Sequence, residues 1–322
     1  MADTFTDTAQ LSNLVQTAYD RAIEFALRAV PQFRAFVTKR PVQQAMPGSS
    51  VVFELYNDLT AVAPGTTLAE DTDVAAVGVP QTSTVSVTLN PYGNAVITSE
   101  NLRLEALSDV EPAVANVVAW NMVDSVDGFV QNIIATNGTN IAAIQGGALH
   151  SSVIDGTAAA KNSVTQTDLF SSTVARAIPA VMRANKARPS MGDYFRALVH
   201  PKVSVDLRSE TGAAGWRDPH AYSGDNAGAI WRGEIGAYEG ATYIETPRTT
   251  LAANAGSVNV YNSYFLGQQA LAEAVAEEPH IVFGLRTDKL MRFQPVGWKS
   301  LIGWNVYRQA ALFQVYTASS LH

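Results

Sequence analysis

Few residues in this chain have the type and spacing to do chemistry. The five histidines, His150, His200, His220, His280 and His322, are scattered, with no HExxH pair, no second histidine at helical spacing and no acidic partner at ligand spacing. A zinc-type site needs several such donors converging, so metal ligation is not expected. Glu70-Asp71-x-Asp73 offers carboxylate oxygens to a divalent cation. It lacks the glycine and the distal glutamate that wrap a calcium loop, and it reads as a solvated acidic tip. Gly233, Gly236 and Gly240 mimic a dinucleotide loop but precede a strand instead of joining a strand to a helix, so they read as turn glycines. No GxSxG elbow activates a serine, and no GxxxxGK loop followed by Ser or Thr cradles a nucleotide. Asn137-Gly138-Thr139 matches a glycosylation sequon but reads better as a left-handed helix stop. No catalytic, cofactor-binding or metal-binding residue is assigned, and no cofactor is implied.

Composition narrows the classes further. With 322 residues, 47% of them hydrophobic, the chain can bury a large core and divide into two or three subdomains. The formal net charge of -7 lacks the basic excess of a protein whose main task is to neutralise phosphates. The absence of cysteine excludes disulfides and thiolate nucleophiles. The start, MADTFTDTAQ, has neither a basic nor an apolar signal region, and no apolar run reaches transmembrane length. A soluble protein made in a cytoplasm is expected.

With chemistry sparse, the elements carry the argument. The plainest is a helix over residues 108–137, opened by a Ser108/Glu111 capping box, with Pro112 in its first turn. Val110, Val114, Val117, Val118, Met122, Val126, Phe129, Val130, Ile133 and Ile134 fall on one broad stripe, while Asp109, Asn116, Asn121, Asp124 and Asp127 mostly lie off it. At about 1.5 Å per residue the rod is roughly 40 Å long. Upstream, Leu14 to Val30 reads as an amphipathic helix ending before Pro31, and Arg21, Arg28, Arg34, Lys39 and Arg40 make this arm locally basic.

Residues 41–98 hold no lysine or arginine but five acids, Glu54, Asp58, Glu70, Asp71 and Asp73. Residues 50–56 and 82–89 read as strands, the second alternating Val85, Val87 and Leu89 with Thr and Ser. The long connection between them exceeds a turn, and a two-stranded ribbon is marginal in water unless something packs on it. The sequence thus requires a partner surface, on this chain or another. Further on, residues 138–164 read as a flexible connection, Thr165 and Asp168 as the capped start of a helix running to Lys186 with Pro179 inside, and residues 194–200 as a buried strand leading through Pro201 into a short helix. A glycine-rich loop (209–240) and strands at 241–246, 258–266, 281–283 and 302–316 follow. Helices and strands alternate without a doubly wound repeat, so the fold class is α+β.

The order of parts resembles the major capsid protein of tailed bacteriophages, with the Hong Kong 97 fold, over essentially the whole chain. The stretches that carry the resemblance are TSTVSVTLNPYGNAVITSENL, the helix from Ser108, ALVHPKVSVDLRSE, GEIGAYEGATYIETPR and LRTDKLMRFQPVGWKSLIGWNVYRQAALFQVYTAS. It implies an N-terminal arm (1–40), an extended E-loop (41–98), a peripheral P-domain (99–164) built on the spine helix, an axial A-domain (165–280) and C-terminal strands (281–322) returning to the P-domain. It further implies a structural subunit, not an enzyme, that self-assembles into pentamers and hexamers of an icosahedral shell. The virion would contain packaged double-stranded DNA bound without sequence specificity, with portal and scaffolding or decoration proteins as further partners and synthesis in the host bacterial cytoplasm. The chain begins directly at the arm, so a fused scaffolding segment is not expected. Some members crosslink an E-loop lysine to a neighbour's asparagine, and residues 41–98 contain no lysine. An encapsulin-like compartment shell and, more distantly, an α+β metabolic enzyme are the competing readings.

Charge points to the contact. Residues 281–322 carry Arg286, Lys289, Arg292, Lys299 and Arg308 against the single acid Asp288. In the family's arrangement the E-loop of one subunit crosses the P-domain of the next. Glu70, Asp71 and Asp73 are therefore expected to face part of this set, or else the arm around Arg34, Lys39 and Arg40, at the boundary between subunits.

Overall fold

The computed structural model describes residues 28, 30–41, 49–56, 58–65, 67–68, 70–71, 73–74, 76–78, 83–106, 110–145, 148–150, 161–190, 192–210, 235–249, 251–286 and 288–321. Ser108, most of the expected N-terminal helix and most of the 209–240 loop lie outside these residues. Arg28 and Val30, the described residues at the end of that expected helix, are not helical.

The chain builds two sheets with one long helix between them. The first sheet has four strands: β1 (Thr38–Pro41), β4 (Asn90–Ser99), β12 (Leu271–Phe283) and β13 (Phe293–Val306), in the order β1-β12-β13-β4. A separate two-stranded ribbon pairs β2 (Ser50–Leu55) with β3 (Ser83–Thr88) in antiparallel register, Phe53 opposite Val85. The second sheet has 8 strands. They are β5 (Ile141–Gln145), β6 (Ala148–His150), β7 (Phe195–Val199), β8 (Ala237–Tyr238), β9 (Ala241–Glu245), β10 (Leu251–Ala253), β11 (Asn259–Leu266) and β14 (Leu312–Thr317). The helices are α1 (Glu100–Glu105), α2 (Val110–Asn137), α3 (Ser172–Ala184) and α4 (Pro201–Ser209).

Helix α2 sits between the sheets because its apolar positions serve both. Val126, Val130 and Ile134 share one buried cluster with Leu271, Ile302 and Trp304 of the first sheet and Leu198, Tyr264 and Leu312 of the second. Nearer its start, Val118 packs with Val296 and Trp298. The stripe expected from sequence is only partly buried, since Val117 lies in solvent. Asp127, expected off the stripe, is 1% exposed because residues 31–37 cross the helix there. The far face of the second sheet is covered by Val174, Ile178 and Met182 of α3 with Val203 and Leu207 of α4.

The two sheets are joined by a pair of crossings lying side by side. Residues 267–270 carry β11 into β12, and residues 307–311 carry β13 into β14. The crossings are bonded to each other, Tyr307 N donating to Ala270 O at 2.9 Å and Gly267 N to Ala311 O at 2.7 Å. The expected single strand 302–316 is therefore two strands in two sheets, because each half pairs with a different neighbour.

Other expectations are corrected by long-range pairing. The strand expected at 281–283 begins at Leu271, its alanines and glutamates held extended between β1 and β13, with register shifts around Glu277 that admit Pro279. The connection at 138–164 contains β5 and β6, whose Ala142 and Ile144 are fully buried. Thr165 and Asp168 close a turn of their own, the carboxylate accepting from the Thr165 N–H and hydroxyl at 2.7 Å each. Helix α3 starts later, at Ser172, where Glu210 accepts from the Ser172 N–H at 2.6 Å and from its hydroxyl at 2.9 Å. Neither Asn137 nor Gly138 has positive φ, so the expected left-handed stop is absent. Gly138 is required for space: a Cβ there would collide with the Gln314 amide, Ile134 O and Leu312 of β14.

Candidate inter-subunit surfaces

The ribbon is anchored at its base on its own chain. Phe53, Val87 and Leu89 are buried against Ala272, Ala274 and Tyr307, with Val51, Leu55, Val85 and Leu301 around them. The Phe53 and Tyr307 rings meet edge-on at 6.0 Å. Alternation puts these side chains on one face, and the first sheet offers small residues beneath them. Gly303 has no room for a Cβ, which would run into the Thr88 carbonyl, and Asn305 Nδ2 donates to Ser86 O at 2.8 Å. Part of the partner surface demanded by the sequence is thus the first sheet itself.

Beyond the base the described residues of the excursion are exposed. Tyr56, Leu59, Val62, Leu68, Val74 and Val77 are exposed, Val62 at 76% and Val77 at 79%. Glu70, Asp71 and Asp73 are exposed among them, and Asp73 Oδ1 accepts from the Val74 N–H at 2.8 Å. Isolated apolar side chains on a surface are ordinary, but six large ones on one excursion make it a candidate contact surface.

A second bare surface lies at the far end of the first sheet. Phe283, Leu285, Leu290, Met291 and Phe293, at and around the 284–292 hairpin between β12 and β13, are exposed, Leu285 at 86%. Ile97 of β4, opposite Pro295, is exposed near them, Glu100 N donates to Arg292 O at 2.8 Å, and Leu104 of the helix that starts there is exposed as well. On the face away from α2, Gly93, Ala95, Gly284 and Gly297 floor a shallow furrow of about 380 Å³ ending at Lys299.

The structure separates the cations that sequence grouped together. Lys299 Nζ meets Glu277 at 2.8 Å and holds that carboxyl below its ordinary value. Arg292 meets Asp288 at 2.9 Å with the same effect on the aspartate. Arg34 is bound to Glu273 and Glu278, each at 2.7 Å, and Lys39 lies 4.0 Å from Glu278. Arg40 lies in β1, and its side chain is outside the described residues. Arg286 donates only to neutral groups, Met291 O at 3.3 Å and Gln294 Oε1 at 2.9 Å, and Lys289 is exposed. Among the described residues neither Arg286 nor Lys289 has a carboxylate partner.

A buried carboxylate pair that sequence reasoning missed locks the start of the described chain to both sheets. Asp127 accepts from the Gln32 N–H at 3.2 Å and the Arg34 N–H at 3.1 Å, capping the 3-10 turn Phe33–Phe36, while Arg248 lies 3.5 Å away. Burial raises its pKa despite these donors. Phe33, fully buried, meets Tyr264 edge-on at 5.4 Å. Glu273, 0% exposed, accepts from Arg34 and from Trp304 Nε1 at 2.9 Å. Burial alone would lower the Arg34 guanidinium's pKa, and its hydrogen bonds to Glu273 and Glu278 reverse this. The one local signal was a glutamate between Ala272 and Ala274 in a stretch otherwise suited to a strand's buried face.

Among the described residues no three acidic, histidine or cysteine side chains gather as for a metal, and no helix is long and apolar enough to cross a membrane. The sequence as a whole answers the question of kind: a family model described as phage capsid protein matches residues 8–312. The chain belongs to this family of phage capsid proteins. It is a structural major capsid protein that associates with itself into the virion shell, and the compartment-shell and enzyme readings give way to this one. Solved structures share the α+β Hong Kong 97 fold. The cyanophage Pam1 capsid asymmetric unit matches at 15% identity with a TM-score of 0.76, over 100% of both chains. The capsid of cyanophage P-SCSP1u matches at 16% and 0.70, over 96% of this chain and 95% of that one. The acid-stable capsid of Helicobacter pylori bacteriophage KHP30 matches at 13% and 0.68, over 98% and 99%. No curated protein matches the sequence.

Proposed function

We propose that copies of this chain form pentamers and hexamers that close an icosahedral shell around double-stranded DNA, and that the excursion between β2 and β3 is the E-loop joining neighbours. In this reading residues 1–40 are the N-terminal arm, the first sheet with α2 is the peripheral domain, and the second sheet with α3 and α4 is the axial domain around the capsomer axis. The strands do not follow the sequence intervals: residues 271–280 lie in the first sheet, whereas 141–150 and 312–317 lie in the second. Portal, scaffolding or decoration proteins complete the particle, and the subunit is made in the host cytoplasm. DNA is enclosed without sequence-specific contact, in keeping with a net charge of -7.

The observation that carries the reading is the exposed excursion, apolar and acidic, with none of the described residues of its own subunit covering its large apolar side chains. The neighbour's far sheet end, apolar and carrying Arg286 and Lys289 without a carboxylate partner among the described residues, is complementary to Glu70, Asp71 and Asp73. Each exposed ion pair contributes only about 0.2–1 kcal/mol. Burying a valine or leucine side chain contributes about 1.5–3 kcal/mol, so apolar contact supplies most of the affinity and charge supplies orientation. Weak contacts repeated at every boundary favour closure while letting misplaced subunits leave.

Deleting residues 58–80 should leave a folded subunit that no longer closes shells in electron micrographs. Changing Glu70, Asp71 and Asp73 together to lysine should impair assembly, and added salt should weaken wild-type assembly, because exposed pairs are screened over about 10 Å at 0.1 M. Normal closed shells from the deletion variant would overturn the E-loop assignment. Normal assembly by the triple variant at every salt concentration would remove its electrostatic part.

A further inference from the structure

Among the described residues strand β4 is an open edge of the first sheet, and apart from Pro91 near its start it has none of the devices that usually blunt one. Its ten residues, NPYGNAVITS, contain no charge. Its one partner among the described residues is β13, in unbroken antiparallel register from Asn90 opposite Ile302 to Ser99 opposite Phe293. Natural edges are normally protected by charged side chains, bulges or cover.

The ladder shows which backbone groups are open. Glu100 N donates to Arg292 O across this register, and bonded pairs alternate along an antiparallel ladder, so the even-numbered residues bond inward to β13. Pro91, Gly93, Ala95, Ile97 and Ser99 therefore turn their backbone outward. Two observations agree with this phase: Pro91, which has no N–H to lose, falls on the outward set, and the Ala95 N–H is taken by the Asn94 side chain at 2.9 Å. The N–H groups of Gly93 and Ile97 have no protein partner among the described residues.

The excursion contains a short uncharged segment without a ladder. Val74, Ala76, Val77 and Gly78 are exposed, carry no charge and pair with no strand among the described residues. Glu70 and Asp73 lie just before this segment, and Arg286 and Lys289 lie at the Ser99 end of β4. Arg286 is bonded to Gln294, which pairs with Thr98.

We propose that residues 74–78 of a second copy of this chain add to the outer edge of β4 as an antiparallel fifth strand. The inference rests on the proposed docking of the excursion on a neighbour and supplies its mode. Charge sets the direction: with Glu70 and Asp73 beside Arg286 and Lys289, the segment runs from the Ser99 end back toward Gly93, opposite to β4. Length agrees, since five residues at about 3.4 Å cover half of a ten-residue strand. This leaves the Asn90 end, where the subunit's own ribbon attaches, unobstructed. Backbone hydrogen bonds would hold the strand, and one of Val74 and Val77, which alternate to opposite faces, would gain cover beside Ile97.

Because the chain has no cysteine, disulfide trapping on assembled shells reads the geometry without background. Val77→Cys is combined in turn with a cysteine at Ala95, Val96, Ile97 or, as a comparison, Leu290. Oxidation is expected to join different subunits through one or two of the β4 positions, giving oligomers on a non-reducing gel. A trap at Leu290 and at no β4 position would overturn the added strand while leaving the docking reading standing. No inter-subunit trap at any position would overturn both. Ile97→Pro removes an outward N–H and leaves the inward ladder intact. It should keep the subunit's thermal melt close to wild type and weaken assembly by about tenfold. A well-folded Ile97→Pro subunit that closes shells like wild type would overturn the added strand.

Discussion

Asp127 and Glu273 are carboxylates in places where a carboxylate is expensive, and each is retained because it satisfies donors that nothing else reaches. Removing one member of such a buried set leaves the others uncompensated. Asp127→Ala should therefore destabilise the subunit by about 3 kcal/mol in urea denaturation. The pH dependence has a definite sign. Burial raises the Asp127 pKa, so the folded state binds the proton more tightly than the unfolded state. This group's contribution to stability is fully present below the ordinary carboxylate pKa and is lost as pH rises through the raised, folded value. Asp127→Asn cannot titrate. The stability difference between wild type and Asp127→Asn should move in favour of wild type as pH falls from neutral into the carboxylate range, which denaturation at a series of pH values would show.

Among the elements, the ribbon depends on the first sheet at a point where backbone meets backbone. A Cβ at Gly303 would strike the Thr88 carbonyl and Val87, and neither is the loose end of a flexible side chain. Gly303→Ala should cost about 1–3 kcal/mol, the usual range for overpacking. Amide exchange should accelerate in β2 and β3 while β7, β11 and β14 stay protected. Equal protection throughout would show that the ribbon does not depend on this close approach. The same element logic explains β12, whose alanines are small enough for the ribbon to lie on while Leu271, Glu273 and Val275 face α2.

At the scale of the molecule, two sheets clamped on α2 make a subunit whose exposed apolar groups gather at two extremities, the excursion tip and the far end of the first sheet. A subunit of this kind is completed by its neighbours. Residues 41–98 contain no lysine, so the excursion has no amine to attack a neighbour's side-chain amide. Mature particles should run as single chains after boiling in detergent. A covalent ladder surviving that treatment would require a donor elsewhere, such as Lys39, Lys289 or Lys299.

The sequence alone determined the parts whose code is local. Helix α2 repeats its apolar positions over 28 residues; the β3 alternation and the proline that opens α4 are similarly short-range. The acidic, lysine-free character of the excursion was equally plain. Only the tertiary structure decided the rest, because the deciding partners lie far away along the chain. Leu271–His280 is rich in alanine and glutamate, and it becomes strand because β1 and β13 flank it. Helix α3 begins at Ser172 because Glu210, 38 residues on, satisfies its first N–H. Arg34, Lys39, Arg292 and Lys299 counted with Arg286 and Lys289 in a tally of charge, but folding gave the first four acids of their own, Arg34 reaching 239 residues to Glu273. Periodicity and capping record what a residue does within a turn or two. Ion pairing and sheet order depend on which distant segments the core brings together.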